Sequence, residues 1–496
     1  MAMNSNDSTH RLPRVLGPWM ATAVVVGTVI GSGVFKKPHA VAKDVDHFGL
    51  ILVAWVLVGL LAMFGALAYA EVTTLFPRAG GNYVFLREAY GRLAGFLWGW
   101  VDFGIIRSGS IAALASVFSE SIHDIVRQLR GLPADARVFS FGTEHVLTVG
   151  VILGLAAVNV RGVRWGGLLQ LTMTLVKVGS LVAIILLPFL VIALVRSPAH
   201  PPRLEHLSPL WPQDWAEVGW SNFGAAMVGV IWAYHGWMNI APVAEEVRDP
   251  QRNIPVALIG GVGILITLYV GANVAYHLVL PHPDVARLTD SPVATEFARR
   301  LLGPSGGILM SLAIALSVFG ALNGNILVGP RLLYALAEDR LAPRSLSLLH
   351  SRFRTPALAT WVLCAWSCAL VALAALWSRF PLPTVSLGSW TLDLNLPEGK
   401  ALFDVMTDYA MFGAIALETL AVMSVFVFRW RRPEMARTYR CFGYPIVPAI
   451  YGLVMLAVWL NMFSRQRSES WAGIGYIVLG AIVYFGCFKL TWSDKS

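Results

Sequence analysis

Val24–Phe35 reads "VVVGTVIGSGVF", inside an apolar run long enough to cross a bilayer, yet it carries Gly27, Gly31 and Gly33 with Thr28 and Ser32 between them. Glycine in a helix interior costs about 1 kcal/mol relative to alanine. Gly27 and Gly31 have the G-x-x-x-G spacing that lets membrane helices pack closely. That accounts for two glycines and leaves Gly33, Thr28 and Ser32 unexplained. A helix that breaks here accounts for them all. Broken membrane helices expose N–H and C=O groups, which only protein or a water-filled cavity can satisfy. The freed N–H groups suit a carboxylate, and the freed carbonyls suit an ammonium or a cation.

The chain around this stretch is built for a membrane. Of 496 residues, 56% are hydrophobic and 14% charged, against roughly 25% charged in soluble domains. About twelve apolar runs approach the roughly 20 residues of a spanning helix. They fall at 15–35, 48–74, 94–125, 145–160, 165–195, 220–246, 254–281, 305–337, 356–378, 402–428, 444–463 and 470–490. The fold class is therefore an all-α membrane protein. The longest polar intervals, 196–219 and 379–401, leave no room for a large soluble domain. Fourteen mostly polar residues precede the first run and no A-x-A-like site follows it, so it is expected to be retained.

The net charge is +9, but it is not gathered on one soluble face, which argues against a nucleic-acid partner. Arginines cluster after the second run (Arg78, Arg87, Arg92), the eighth (Arg340, Arg344, Arg352, Arg354) and the tenth (Arg429, Arg431, Arg432, Arg437, Arg440). Basic loops of one parity are the positive-inside pattern, which puts both termini in the cytoplasm; Lys36, Lys37 and Lys43 run against it. The four cysteines have no disulfide or zinc spacing. Only His235 and His277 lie well inside helices, too few for a haem or metal set. A Walker loop, a nucleophile elbow and an H-E-x-x-H motif are all missing. No cofactor and no enzyme chemistry are expected.

A charge at membrane depth costs about 2.5–3.5 kcal/mol on insertion scales, so each one needs a reason. Lys177 lies about twelve residues into the fifth run, roughly 18 Å deep, and needs carbonyls, hydroxyls or a carboxylate. Asp102 and Arg107 lie in the third run. Being five apart they should not share a helical face, so each is expected to find another helix or water.

A broken first helix calls for a partner. The sixth run, "SNFGAAMVGVIWAYHGWMNIAPVAEEV", is interrupted by Gly229, Gly236 and Pro242, with Asn239 close by. Runs one and six are each the first of five. Interrupted segments at matching positions of two halves point to an inverted repeat with a binding site between them. An α-amino acid would fit: its carboxylate on the N–H groups around Ser32 and Gly33, its ammonium on carbonyls of both breaks.

Seven segments resemble, in order, those of the amino acid–polyamine–organocation superfamily of permeases, above all the L-type amino acid transporter family and its bacterial relatives. They are "GTVIGSGVF", "LAYAEVTTLFPRAGGNYVFLREAYG", "IIRSGSIAALA", "WAYHGWMNIAPVAEEVRDPQRNIPVAL", "YVGANVAYHLVL", "VFGALNGNILVGPRLLYALAEDRLAP" and "RRPEMARTYRCFGYPIVPAIYG". The resemblance spans nearly the whole chain. It implies a LeuT-like fold: a cytoplasmic tail at 1–14, a five-helix repeat at 15–195, its inverted copy at 220–428, two further helices at 444–490 and a short cytoplasmic tail at 491–496.

The resemblance also assigns residues. First-helix amides around Gly31, Ser32 and Gly33 would bind the substrate carboxylate, and carbonyls of Val29, Trp232 and His235 the amine. Trp232 matches a gating aromatic, Tyr276 a seventh-helix tyrosine and Asn323 an eighth-helix asparagine. Lys177 matches a lysine of sodium-independent members, whose ammonium stands in for a sodium ion beside Gly27. His235 and Met238 depart from the family pattern, which leaves the substrate class open. The interval 126–144 has no cysteine, so no disulfide-linked glycoprotein subunit is expected. The implied function is transport of amino acids across the plasma membrane, as sodium-independent exchange of neutral amino acids. Alternatives are proton symport, with Lys177 or His235 carrying the proton, a cationic amino acid or polyamine carrier using Asp102, and an amino acid sensor.

Overall fold

The computed structural model describes residues 12–133, 136–194, 200–216, 218–288, 291–379, 385–387, 390–392, 402–465 and 467–489. Most of the tail expected at 1–14, the tail at 491–496 and most of the interval 379–401 lie outside the described residues. In that interval Val385–Leu387 pairs antiparallel with Trp390–Leu392; the other regular elements among the described residues are helical.

Eleven helical stretches among the described residues are long and apolar enough to cross a membrane; the chain is a multi-pass membrane protein. The sixth expected run is present in two pieces, the α-helix Trp220–Tyr234 and the 3-10 helix Trp237–Glu246. The α-helical piece is about 22 Å long and falls short of a hydrocarbon core of about 30 Å. The first span also comes in two pieces, Pro18–Val29 and Gly33–Asp44. It therefore runs past the expected end at 35. The polar "KKPH" is carried because Phe35, Pro38, Val41 and Ala42 bury the other face of the second piece.

Burial sorts the spans. The most apolar windows of the first span (Pro18–Asp44) and the third (Arg92–Leu129) are 78% buried, against 6% for the last (Ser470–Phe488). The first two form the centre and the last faces lipid. The second span (Phe48–Leu75) packs along the seventh (Pro250–Val279), and the third along the eighth (Pro304–Val328). The first span touches the fifth (Val163–Leu194), the seventh and both pieces of the sixth. Outward-facing Leu175, Leu186, Phe189 and Leu194 of the fifth span are exposed, as suits a surface solvated by lipid tails.

One expectation about the third span is corrected. Asp102–Arg107 is a π-helical turn. Its i→i+5 hydrogen bonding brings residues five apart onto one face. Arg107 Nε thus reaches Asp102 Oδ2 at 3.5 Å, and Arg107 Nη1 donates to Asn239 Oδ1 at 2.8 Å and Asn325 Oδ1 at 2.9 Å. The two charges pair with each other as well as with other spans.

One end of the central spans is clasped. Leu16 N–H donates to Glu246 O and Arg248 N–H donates to Leu16 O, both at 2.9 Å. Just past the eighth span, Arg331 Nε donates to Glu246 Oε1 at 2.8 Å, with both side chains almost wholly buried. Removing one partner of a buried pair leaves an uncompensated charge, which destabilises by about 3–5 kcal/mol. Arg331→Leu is therefore expected to lower the melting temperature of the detergent-purified protein strongly, and Arg331→Leu with Glu246→Met to recover most of that loss. An unchanged single variant would contradict the reading.

Candidate substrate site

The first half-helix makes its last turn bond from Ile30 N–H to Val26 O (2.9 Å); the second opens on Ser32 O, which accepts from Phe35 and Lys36 N–H. The carbonyls in between have lost their helical donors, and side chains from three spans replace them. Lys177 Nζ, from the fifth span, donates to Gly27 O and to Ile30 O, each at 2.7 Å. Tyr269 Oη, from the seventh, donates to Val29 O at 3.2 Å, and Ser317 Oγ, from the eighth, to Gly31 O at 3.1 Å. Lys177 is fully buried. An ammonium withdrawn from water needs acceptors, and buried carbonyls need donors; each supplies the other.

The sixth span breaks alongside. His235 N–H closes a turn onto Trp232 O at 3.1 Å, and Gly236 adopts φ 111°. A left-handed backbone of this kind favours glycine. Thr28 Oγ1, which donates to Val24 O at 2.6 Å, also lies 3.1 Å from Gly236 O, so the two breaks meet at this hydroxyl. Tyr269 Oη is also 3.1 Å from Ala233 O, so one phenol stands between a carbonyl of each broken span.

Close approach explains the glycines of the opening stretch. A Cβ on Gly27 would lie 2.1 Å from Thr174 Oγ1, and one on Gly33 2.7 Å from Ala233 Cα. The first belongs to the contact with the fifth span and the second to the crossing with the sixth. Gly320 does the same for the lysine: its Cβ would lie 2.8 Å from Lys177 Cε.

Between the breaks is a cavity of about 30 Å³ lined by Val29, Gly31, Ser32, Gly33, Trp232 and His235, with Ser110, Asn239 and Asn325 adding polar groups. Ser32 Oγ is buried and has no hydrogen-bond partner among the described residues. It stands at the start of the second half-helix, where the first N–H groups have no intrahelical acceptor. Two of the residues assigned by resemblance lie elsewhere. Asn323 is bonded to Asn159 (2.9 Å) and Gln170 (3.0 Å), tying the eighth span to the fourth (Phe141–Val160) and fifth. Tyr276 packs edge-on against Phe297. Tyr269, seven residues before Tyr276, is the tyrosine that reaches the breaks, and Asn325 is the asparagine that faces the cavity.

Two further residues at the site escaped the sequence reading. Tyr269 carries no signal in a single sequence that would separate it from other membrane tyrosines. Glu418 does. It is the one acid in the apolar stretch Phe412–Arg431 of the tenth span (Leu402–Arg431), as much in need of a reason as Lys177. Its Oε1 lies 3.1 Å from His235 Nε2, and the His235 ring stacks on Trp232 at 5° with centroids 6.0 Å apart.

Two interrupted spans, a buried ammonium on main-chain carbonyls and a small polar cavity between them are the features of this site. The chain belongs to the amino acid permease family, whose model matches residues 16–487. It is 30% identical to the serine/threonine exchanger SteT of Bacillus subtilis, over 90% of each chain. It is 27% identical to the human b(0,+)-type amino acid transporter 1, covering 99% of this chain and 92% of that one. With the mouse Asc-type amino acid transporter 1 it shares 28% identity over 98% of this chain and 82% of the relative. These relatives are transporters.

The site makes a steric prediction. Gly320→Ala is expected to push on the Lys177 stem and to lower amino acid uptake into proteoliposomes at least about tenfold, the size of a lost charge-assisted hydrogen bond. Gly179→Ala, where nothing lies within 4 Å of the added methyl, is the control on the same fifth span. Equal uptake by the two variants would show that the lysine contact does not govern transport.

Proposed function

We propose that the protein is a sodium-independent exchanger of neutral amino acids in the plasma membrane, working by alternating access. Lys177 carries this reading: its ammonium, 2.7 Å from both Gly27 O and Ile30 O, already supplies the cation that a sodium ion would supply to a broken first helix. The substrate carboxylate lies on the amides and hydroxyl around Ser32 and Gly33. Its amine takes carbonyls of the breaks: Val29 O retains a second lone pair beside the Tyr269 bond. The side chain points toward Ser110, Asn239, Asn325 and His235, a lining suited to small and polar neutral side chains.

The halves 15–195 and 220–428 are read as inverted five-helix repeats. In support, the first span packs on the sixth, the second on the seventh and the third on the eighth. Basic loops place both termini in the cytoplasm. A cavity of about 30 Å³ holds about two waters, so a substrate enters and leaves only when spans move apart. The cationic carrier would need a bare carboxylate in the side-chain pocket, and Asp102 is engaged by Arg107; the neutral reading is favoured.

The test is labelled serine or alanine uptake into sodium-free proteoliposomes that are empty, exposed to an inward proton gradient, or preloaded with neutral amino acids. Uptake that needs preloading is the expected result, and Lys177→Met should abolish it while the purified protein still elutes as a folded species. Uptake driven by the gradient into empty vesicles would sink exchange in favour of symport. No uptake in any vesicle, from protein that binds amino acids, would sink the transport reading itself.

A further inference from the structure

His235 and Glu418 are not accounted for by binding to the main chain at the breaks. His235 lines the cavity between the breaks and also a second one, of about 30 Å³, behind it. Glu418 lines that second cavity and a third, of about 20 Å³, which it shares with Asp102, Arg107 and Tyr69. Tyr234, from the sixth span, and Tyr451, from the eleventh (Ile446–Arg465), complete the titratable groups facing the pair among the described residues. Arg107 and Asp102 neutralise each other, and the three phenols are uncharged near neutral pH. Glu418 is left with one basic partner, the imidazole at 3.1 Å.

A carboxylate in the middle of a membrane span persists only beside a compensating charge. Neutral imidazole offers a hydrogen bond and no charge. One more proton, on the ring or on the carboxyl, cancels the deficit.

We propose that His235 and Glu418 hold one proton between them, at the edge of the substrate cavity, as a titrating site separate from Lys177. The inference rests on the transport reading above. His235 can trade this proton through the cavity it lines, so the protonated pair is the state in which a neutral substrate is carried. Loss of the proton leaves a net negative charge beside the Asn239 and Asn325 amides, which Arg107 also holds, and slows exchange.

The test is serine exchange in sodium-free proteoliposomes at equal internal and external pH, from about pH 5.5 to about pH 9, the window in which a histidine pair titrates. Wild-type exchange is expected to fall at least about fivefold toward the alkaline end, along a limb for one proton. Glu418→Gln removes the charge that demands the proton, and should flatten the profile to less than about a twofold change. His235→Gln keeps the carboxyl alone and should move the limb to lower pH. Melting temperature against pH serves any variant too slow to assay: wild type should lose stability as pH rises, and Glu418→Gln should not. Superimposable profiles for wild type and Glu418→Gln would overturn the proton site and leave exchange standing. Absence of wild-type exchange at every pH would instead overturn the transport reading.

Discussion

An ammonium and two main-chain carbonyls, buried together, hold this structure's centre. A helix broken inside a membrane has lost bonds that water cannot replace, and a lysine at the same depth has lost its hydration. Neither is stable alone. Lys177 against Gly27 O and Ile30 O settles both debts in one contact, and it fixes where the first span can break. Tyr269 and Ser317 then take the next carbonyls along. With these carbonyls engaged, the Ser32 hydroxyl is left buried at the start of the second half-helix with no partner among the described residues.

The packing around the break follows from it. Gly33 lets the second half-helix cross the sixth span at Ala233, and Gly27 lets the first half-helix press on the fifth at Thr174. The ends of the site differ in kind. On one, Arg331 and Glu246 form a buried pair beside the Leu16–Val247 bridge; on the other, Lys36 meets Glu120 in a partly exposed one. Exposed pairs contribute little. Opening the buried end separates two charges, but it also admits the water that solvates them. A contact of that sort is firm while dry and weaker once wet.

Charge at membrane depth marks the rest of the machinery. The π-turn at Asp102–Arg107 brings an acid and a base onto one face and spreads the guanidinium over Asn239 and Asn325. The broken sixth span and the polar cavity wall are thereby tied to the third and eighth spans. Glu418 stands beside this set, sharing a cavity with Asp102 and Arg107, and is joined to His235 at 3.1 Å.

The membrane class, an interruption within Val24–Phe35 and the need of Lys177 for buried acceptors were legible in the residues, because each depends on local hydropathy, on glycine, or on the cost of burying one charge. Lys177 needed acceptors whatever the fold, and a glycine-rich helix needed somewhere to send its carbonyls. Which carbonyls, and which side chains joined them, depended on how distant spans face each other. Tyr269 reaches the carbonyls of the breaks and Tyr276, two turns further along the same face, lies beyond them; Asn325 lines the cavity while Asn323, two residues before it, points to the other side of the helix, and a sequence does not say which turn or which side meets the site. The Asp102–Arg107 contact was missed because a π-turn changes the helical period. Glu418 was visible as a lone acid, but its partner lies 183 residues away on a span whose break turns the imidazole toward it. Hydrophobicity and single charges act where they stand in the chain; partnership between charges is decided by the packing of helices.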